Sequence, residues 1–185
     1  MNWILSLLQF IDDYTGFFTP VVSLASALVI IIQIRSTITL NRKNLTFEKI
    51  KELEELLYGE GPLREIIKKI GLLEGKKPVG YNKAYKIFKE NKYLLYQLLN
   101  YFESLSLAVI EKNIDEDILF QIYGKRLQRA YIKLHPFIDL IVRETEPTDS
   151  LYEPYQHFDE LFEKVNQYLG GKKGLWKRLR LRLKR

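Results

Sequence analysis

The fold is decided by residues 14–34, which read YTGFFTPVVSLASALVIIIQI and contain no charged side chain. Asp13 is the last charge before this stretch, and Arg35 is the first charge after it. A helix rises about 1.5 Å per residue, so the stretch would extend about 31 Å, close to the thickness of a bilayer's hydrocarbon core. It therefore predicts one transmembrane helix. The predicted span includes Val21, Leu24, Leu28, Ile31 and Ile34.

Two other interpretations of this stretch fit less well. A cleaved signal peptide has a basic segment before its apolar core, whereas residues 1–34 contain no Lys or Arg. The small residues Ala25, Ser26 and Ala27 resemble a cleavage site but lie inside the apolar run. A buried core helix is the second alternative, but such helices rarely contain so many consecutive uncharged residues.

Charged residues around the span predict its orientation and location. Asp12 and Asp13 precede it, whereas Arg35, Arg42 and Lys43 follow it. The side of a span that is richer in Lys and Arg usually faces the cytoplasm. We therefore expect a single-pass protein of the inner (cytoplasmic) membrane, with its N-terminus outside and its large domain in the cytoplasm.

The sequence divides into four predicted parts. Residues 1–13 are apolar but too short to cross a bilayer, so we expect them to lie along the outer interface until Gly16 and Pro20 redirect the chain. Residues 14–34 form the span, residues 35–170 a cytoplasmic helical domain, and residues 171–185 a basic tail.

The pattern of the domain predicts an all-α fold. Apolar residues recur at three- and four-residue spacing after the span, and strand-type alternation is scarce. We expect a bundle of about five helices, with the most apolar one, Asn82–Asn113, at its centre. The other predicted segments are a long helix from the span to Leu57, Pro62–Leu73, Glu116–Tyr123 ended by Gly124, Arg126–Glu144 kinked at Pro136, and Leu151–Leu169 ended by Gly170.

Several short segments of the domain resemble a known family. They are Leu98-Leu99-Asn100-Tyr101-Phe102-Glu103, Ile114-Asp115-Glu116-Asp117, His135-Pro136-Phe137-Ile138, Arg143, and Tyr155–Phe162. With the N-terminal apolar helix, they resemble the bacterial family called domain of unknown function 4760, over about residues 16–165. The resemblance implies a helical, membrane-anchored bacterial or phage-derived protein and implies no activity. The basic tail is not part of the family's pattern.

The C-terminal tail carries more positive charge than the whole chain. The net charge is +6, and residues 172–185 contain eight basic residues and no acid, so the rest sums to 6 − 8 = −2. Cations near a membrane are attracted to anionic lipid, so we predict a lipid- or anion-binding tail. Alternatives are a solubilising tail, nucleic-acid binding and a protein partner. The predicted contact residues are Lys172, Lys173, Trp176, Lys177, Arg178, Arg180, Arg182, Lys184 and Arg185.

Glu103 lies in the most apolar helix of the domain. A buried carboxylate needs a cation or hydrogen-bond donors. Arg126, Arg129 and Arg143 follow on one predicted helix, and we expect a structural ion pair between Glu103 and this group. A ligand or proton site and simple exposure of Glu103 are the alternatives.

Motifs for catalysis are not recognisable. The chain has no Cys and two His, and it has no Gly-rich phosphate loop. We therefore predict a protein that is not an enzyme, with no catalytic residue, no metal and no cofactor. The twelve Tyr residues are expected mainly to pack between helices, with a base-stacking surface as the alternative.

The predicted function is a membrane-anchored binding or scaffold protein, whose partners are anionic lipid and either another protein or a second copy of itself. Ser23, Ser26 and Ala27 would permit close contact between two such spans. One alternative is an oligomerising membrane effector of a bacterial defence or toxic system. Another is a membrane tether for nucleic acid.

Overall fold

Five α-helices make up the fold of the computed structural model, which describes residues 2–74, 77–144 and 154–182. Side chains are described except at residues 2, 4, 5, 7, 8, 10–19 and 171–182. No strand occurs in these ranges, so the predicted all-α class is confirmed there. The helices are α1 (Asn2–Tyr58), α2 (Pro62–Ile70), α3 (Tyr81–Ile110), α4 (Glu116–Glu144) and α5 (Gln156–Arg182).

The chain forms two compact units, and α1 contributes to both. The first unit is Met1–Arg42 and the second is Lys43–Arg185. In the first unit α1 is helical from Asn2 and contains Pro20, so the predicted redirection at Gly16 and Pro20 is wrong. A proline removes one backbone hydrogen bond, and a long helix can bend at that point without ending.

The predicted span residues are exposed along α1. Val21, Leu24, Leu28, Ile31 and Ile34 are all exposed. An 18-residue window within Pro20–Tyr58 has a mean hydropathy of 2.0, and none of it is buried. In the described residues, one helix is thus long and apolar enough to span a membrane. The alternative of a core helix buried within this chain does not agree with that exposure.

The second unit is a bundle around α3, which packs against α2, α4 and α5. Leu95, Leu98, Leu99, Phe102 and Leu105 of α3 are fully buried, which confirms the prediction of a central buried helix. The last turns of α1 join the same core through a separate group of buried residues, which consists of Ile50, Leu53 and Leu57.

Two polar contacts fix the ends of α2 and α4. The Thr46 hydroxyl, fully buried in α1, accepts a hydrogen bond of 2.7 Å from the backbone N–H of Asp115. The Asp115 carboxylate accepts one from the Ile118 N–H, so it caps α4 as predicted. The buried Lys133 ammonium donates to the carbonyls of Gly71 and Glu74, where α2 ends. Gly71 has φ 69°, the left-handed conformation that favours glycine.

The predicted break at Gly124 is wrong, because α4 continues through both Gly124 and Pro136. A glycine within a helix costs only about 1 kcal/mol relative to alanine. The flanking residues Phe120 and Leu127 are buried in the core, and their burial offsets that cost. The predicted end of the last helix at Gly170 is also wrong, since the backbone of α5 is helical to Arg182.

Candidate functional site

The Glu103 carboxylate binds the start of α5. One oxygen lies 2.6 Å from Nδ1 of His157 and accepts a 3.2 Å hydrogen bond from the His157 backbone N–H. The other oxygen accepts a 2.9 Å hydrogen bond from the Phe158 N–H. The first N–H groups of a helix lack the i−4 carbonyl partners of the helix interior, and Glu103 of α3 accepts hydrogen bonds from two of them. The Phe158 N–H also donates to the Tyr155 carbonyl at 3.1 Å. Next to this contact, the rings of Phe102 and Phe158 stack 5.1 Å apart.

The arginines predicted as partners of Glu103 lie elsewhere. The Arg126 guanidinium lies over the rings of Tyr58 and Tyr123, at 5.7 and 5.0 Å from their centroids. Arg143 lies 5.5 Å from the centroid of Tyr81. The predicted ion pair is therefore corrected to a contact of Glu103 with His157. The start of α5 supplies two backbone donors and a histidine, which satisfy the carboxylate without an arginine.

A cleft in the second unit brings Arg126 and Arg129 together. It is open to solvent, and it lies where residues of α1, α3 and α4 meet the turn after α2. Both arginines belong to α4, where a spacing of three residues places side chains on one face. The apolar lining of the cleft includes Leu53, Leu57, Leu72, Phe102, Leu127 and Ala130.

Tyrosine rings position Arg126 at the cleft. Tyr123 is fully buried, and its hydroxyl donates a hydrogen bond of 2.5 Å to the Glu54 carboxylate. Burial, followed by this hydrogen bond to the carboxylate, raises the pKa of Tyr123 from 10.0 to about 12. The ring faces attract the Arg126 guanidinium, whose N–H groups form no ion pair with a described carboxylate.

No carboxylate within residues 2–74, 77–144 and 154–182 forms an ion pair with Arg126 or Arg129. Both side chains are exposed. Two guanidinium groups beside an apolar lining can bind a carboxylate or phosphate through paired hydrogen bonds while apolar atoms contact the leucines. The cleft is therefore suited to a ligand with an anionic group on an apolar body.

The sequence identified the arginines of this site but not their role. The three-residue spacing of Arg126 and Arg129 indicated one shared face. The approach of Leu72 from the turn after α2 depends on tertiary packing and had no signal in the sequence. The role of His157 in fixing α5 had no signal in the sequence, because the predicted helix begins at Leu151 and places His157 in its interior, whereas α5 begins at Gln156.

Side chains of the basic tail residues, Lys172 to Arg185, lie outside the described residues, although the backbone of α5 reaches Arg182. In the part of the chain that the structure describes, no group of three or more His, Cys, Asp or Glu side chains is arranged to hold a metal ion.

Comparison with protein families gives one match, which covers most of the chain. The family model described as Domain of unknown function (DUF4760) matches residues 20–164. The chain belongs to this family. The predicted resemblance is thereby confirmed, and the DUF4760 match includes the apolar run of α1, both cleft arginines and the Glu103–His157 contact. The basic tail lies beyond the match. No curated protein and no solved structure matches the chain.

Proposed function

We propose that this DUF4760 protein is a single-pass membrane-anchored binding module. The observation that carries the proposal is the exposed apolar window of α1, with a mean hydropathy of 2.0. Leaving one Leu, Ile or Val side chain in water instead of an apolar medium costs about 1.5–3 kcal/mol. A bilayer removes this cost for the entire window, and a helix also satisfies its own backbone hydrogen bonds there.

The anchor would hold the second unit at the cytoplasmic surface of the inner membrane. The basic residues Arg35, Arg42 and Lys43 after the apolar run support this orientation. The eight cations of the tail would add a second contact with anionic lipid, each contributing about 1 kcal/mol near the surface.

The ligand of the module would bind in the cleft beside Arg126 and Arg129. A carboxylate or phosphate on an apolar body fits its two guanidinium groups and its leucine lining. Because Arg126 is already oriented by Tyr58 and Tyr123, little side-chain entropy would be lost when it binds an anion. This pre-organisation favours a specific binding site over a solvated surface charge.

Membrane topology is tested with single cysteines in the Cys-free chain. Cysteine replaces Asn2 in one variant and the exposed Asn113 in another, and intact cells are labelled with an impermeant maleimide before and after lysis. The proposal predicts labelling at residue 2 from outside and labelling at residue 113 only after lysis. Protection of both sites together with release of the protein by a high-salt wash would contradict the anchor.

Ligand binding is tested with octanoate, a carboxylate on a short alkyl chain, and with neutral octanamide as its matched control. Calorimetry of the full chain in zwitterionic nanodiscs should give a signal with octanoate that empty nanodiscs lack. Replacing both arginines, Arg126→Gln and Arg129→Gln, should weaken binding about tenfold or more, because each hydrogen-bonded charge pair contributes about 1.5–3 kcal/mol. Lys125→Gln removes an exposed neighbouring charge and should change little. Equal binding of octanamide would exclude an anion site.

A further inference from the structure

The first half of α3 presents tyrosine and lysine side chains to solvent. Tyr81, Tyr85 and Tyr93 expose 51%, 39% and 73% of their surface, and Lys86 and Lys89 are exposed between them. We call these five residues the α3 lysine–tyrosine face. At about 100° per residue, Tyr85, Lys86 and Lys89 lie within one sector of the helix. The opposite sector is buried in the core and consists of Ala84, Ile87, Phe88 and Leu95.

The positive charge of this region is local. Residues 77–93 contain five lysines and one glutamate, which gives 5 − 1 = +4. Residues 1–171 together sum to −2, so the part of them outside 77–93 sums to −2 − 4 = −6. Lys92 of this segment is paired with Glu144 of α4, so its other lysines provide the local attraction for anions, which the net charge of the chain does not reveal.

Cations cover two of the tyrosine rings. The Lys89 ammonium lies 4.7 Å from the centroid of Tyr85, and the Arg143 guanidinium lies 5.5 Å from that of Tyr81. Each ring therefore has a cation against one face. Tyr93 extends the aromatic surface beyond Asn91, where the helix has a non-helical residue with φ −136°.

We infer that the α3 lysine–tyrosine face binds the headgroup layer of a bilayer that contains anionic lipid. Tyrosine is enriched at this layer because its ring is apolar and its hydroxyl is polar. Lysine places its alkyl stem along apolar surface while its ammonium stays among phosphates. The inference rests on the proposed membrane anchor, which would keep α3 at a high effective concentration near one leaflet.

The same observations disfavour single-stranded nucleic acid as the occupant. Stacking of bases requires free ring faces, and one face of Tyr81 and one face of Tyr85 carry a cation. Lysine contributes a point charge, without the planar fork through which arginine recognises bases or phosphates in fixed geometry. A fluid layer of anionic headgroups needs neither a free ring face nor a fixed fork.

The test uses the full chain in bilayers with one cysteine at Asn82, an exposed residue beside the face, labelled with a fluorophore. A second variant carries the label at the exposed Gln121 of α4 as a control. The bilayers contain a quencher on a fraction of their headgroups and are made either with zwitterionic lipid alone or with added anionic lipid. We expect quenching at residue 82 in the anionic bilayers, and less quenching there in zwitterionic bilayers or at residue 121.

Charge variants test whether the face itself is responsible. Lys86→Gln with Lys89→Gln should lower the ratio of bound to unbound α3 about 25-fold, because one lysine near an anionic surface contributes about a fivefold factor. Lys51→Gln with Lys125→Gln removes two exposed lysines elsewhere and should leave quenching unchanged. The inference would be overturned if quenching is unchanged in the variant with Lys86→Gln and Lys89→Gln, or if it is equal at residues 82 and 121.

Failure of the anchor can be distinguished from failure of the face. If an alkaline wash releases the chain from the bilayer, the anchor is wrong and the inference falls with it. If the chain stays in the bilayer while residue 82 is not quenched, the face alone is wrong. A labelled single-stranded oligonucleotide could instead bind in a way that depends on Lys86 and Lys89, without quenching at residue 82. That result would overturn the inference and identify nucleic acid, not lipid, as the ligand of the face.

Discussion

Glu103 shows how a single carboxylate can fix the start of a distant helix. It satisfies the N–H groups of His157 and Phe158 and also contacts the His157 ring. Its negative charge lies at the positive end of the α5 helix dipole, which adds to the hydrogen bonds. Glu103 is therefore part of α3 and also caps the start of α5.

Replacing Glu103 by alanine should destabilise the fold. The change removes the acceptor of the His157 N–H and of the His157 ring, and it leaves the Phe158 N–H only its 3.1 Å hydrogen bond to the Tyr155 carbonyl. We therefore expect a loss of about 1–3 kcal/mol in the free energy of unfolding. Denaturant unfolding of the full chain in nanodiscs measures this loss. Glu160→Ala, at an exposed position of α5, serves as the control and should cost less than about 0.5 kcal/mol. Equal stability of the two variants would contradict the capping role.

Ionisation of Tyr123 makes the free energy of unfolding depend on pH in the alkaline range. Burial and the Glu54 carboxylate raise its folded-state pKa from 10.0 to about 12. Between these values the folded chain keeps a proton that the unfolded chain releases, so the free energy of unfolding falls as pH rises. Burial raises the pKa of Tyr131 and Tyr101 in the same direction.

Unfolding measured at about pH 8 and about pH 11 should show this decline, which follows from the linkage of proton binding to folding. Tyr123→Phe removes one of the titrating groups and should reduce the difference in stability between the two pH values. Tyr93→Phe is the matched control because Tyr93 is largely exposed, and it should leave the pH dependence unchanged. An undiminished decline in Tyr123→Phe would show that another group causes it.

At the scale of elements, α4 illustrates how packing overrides a local signal. Gly124 lies against Leu169 of α5, and an added Cβ there would be 3.6 Å from a Leu169 methyl and 3.7 Å from the Phe120 Cβ. These are ordinary van der Waals distances, so the position has room for a methyl group. The glycine is therefore not required by the contact between the two helices.

Gly124→Ala should stabilise the chain by about 0.5–1 kcal/mol, because alanine is the better helix former and restricts the unfolded state. Gly71→Ala provides the opposite case. Its Cβ also has room, but φ 69° is unfavourable for a residue with a side chain, and we expect a loss of about 1–2 kcal/mol. Melting temperatures of both variants test the pair. Stabilisation by both changes would disprove the assignment of strain at Gly71.

The helices were predicted well where apolar spacing was regular. The core of α3 and the proline at the start of α2 needed no tertiary information. The continuity of α4 through Gly124 could not be predicted, because it depends on the buried residues on both sides of the glycine. The partner of Glu103 was also missed, since the start of α5 approaches α3 only in the folded chain, 54 residues away.

At the scale of the whole molecule, the anchor should respond to charge in a position-dependent way. Leu28→Arg places a cation within the proposed span, which costs about 2.5–3.5 kcal/mol on insertion. We expect less protein in membranes that have been washed with alkali. Leu40→Arg introduces the same charge after Arg35, beyond the proposed span, and should be retained. Equal retention of both variants would argue against residues 14–34 as the span.

The last turns of α1 have a consequence for how the chain is made. Ile50, Leu53 and Leu57 are core residues, and the Thr46 hydroxyl is hydrogen-bonded to the backbone of Asp115, 69 residues further along. At a synthesis rate of about 5–20 residues per second, Asp115 is translated about 3–14 s after Thr46. During this interval the nascent chain carries an uncovered apolar stripe just after its proposed anchor. Early contact with chaperones or with the translocation machinery is thus expected to matter more for its yield than the stability of the finished fold.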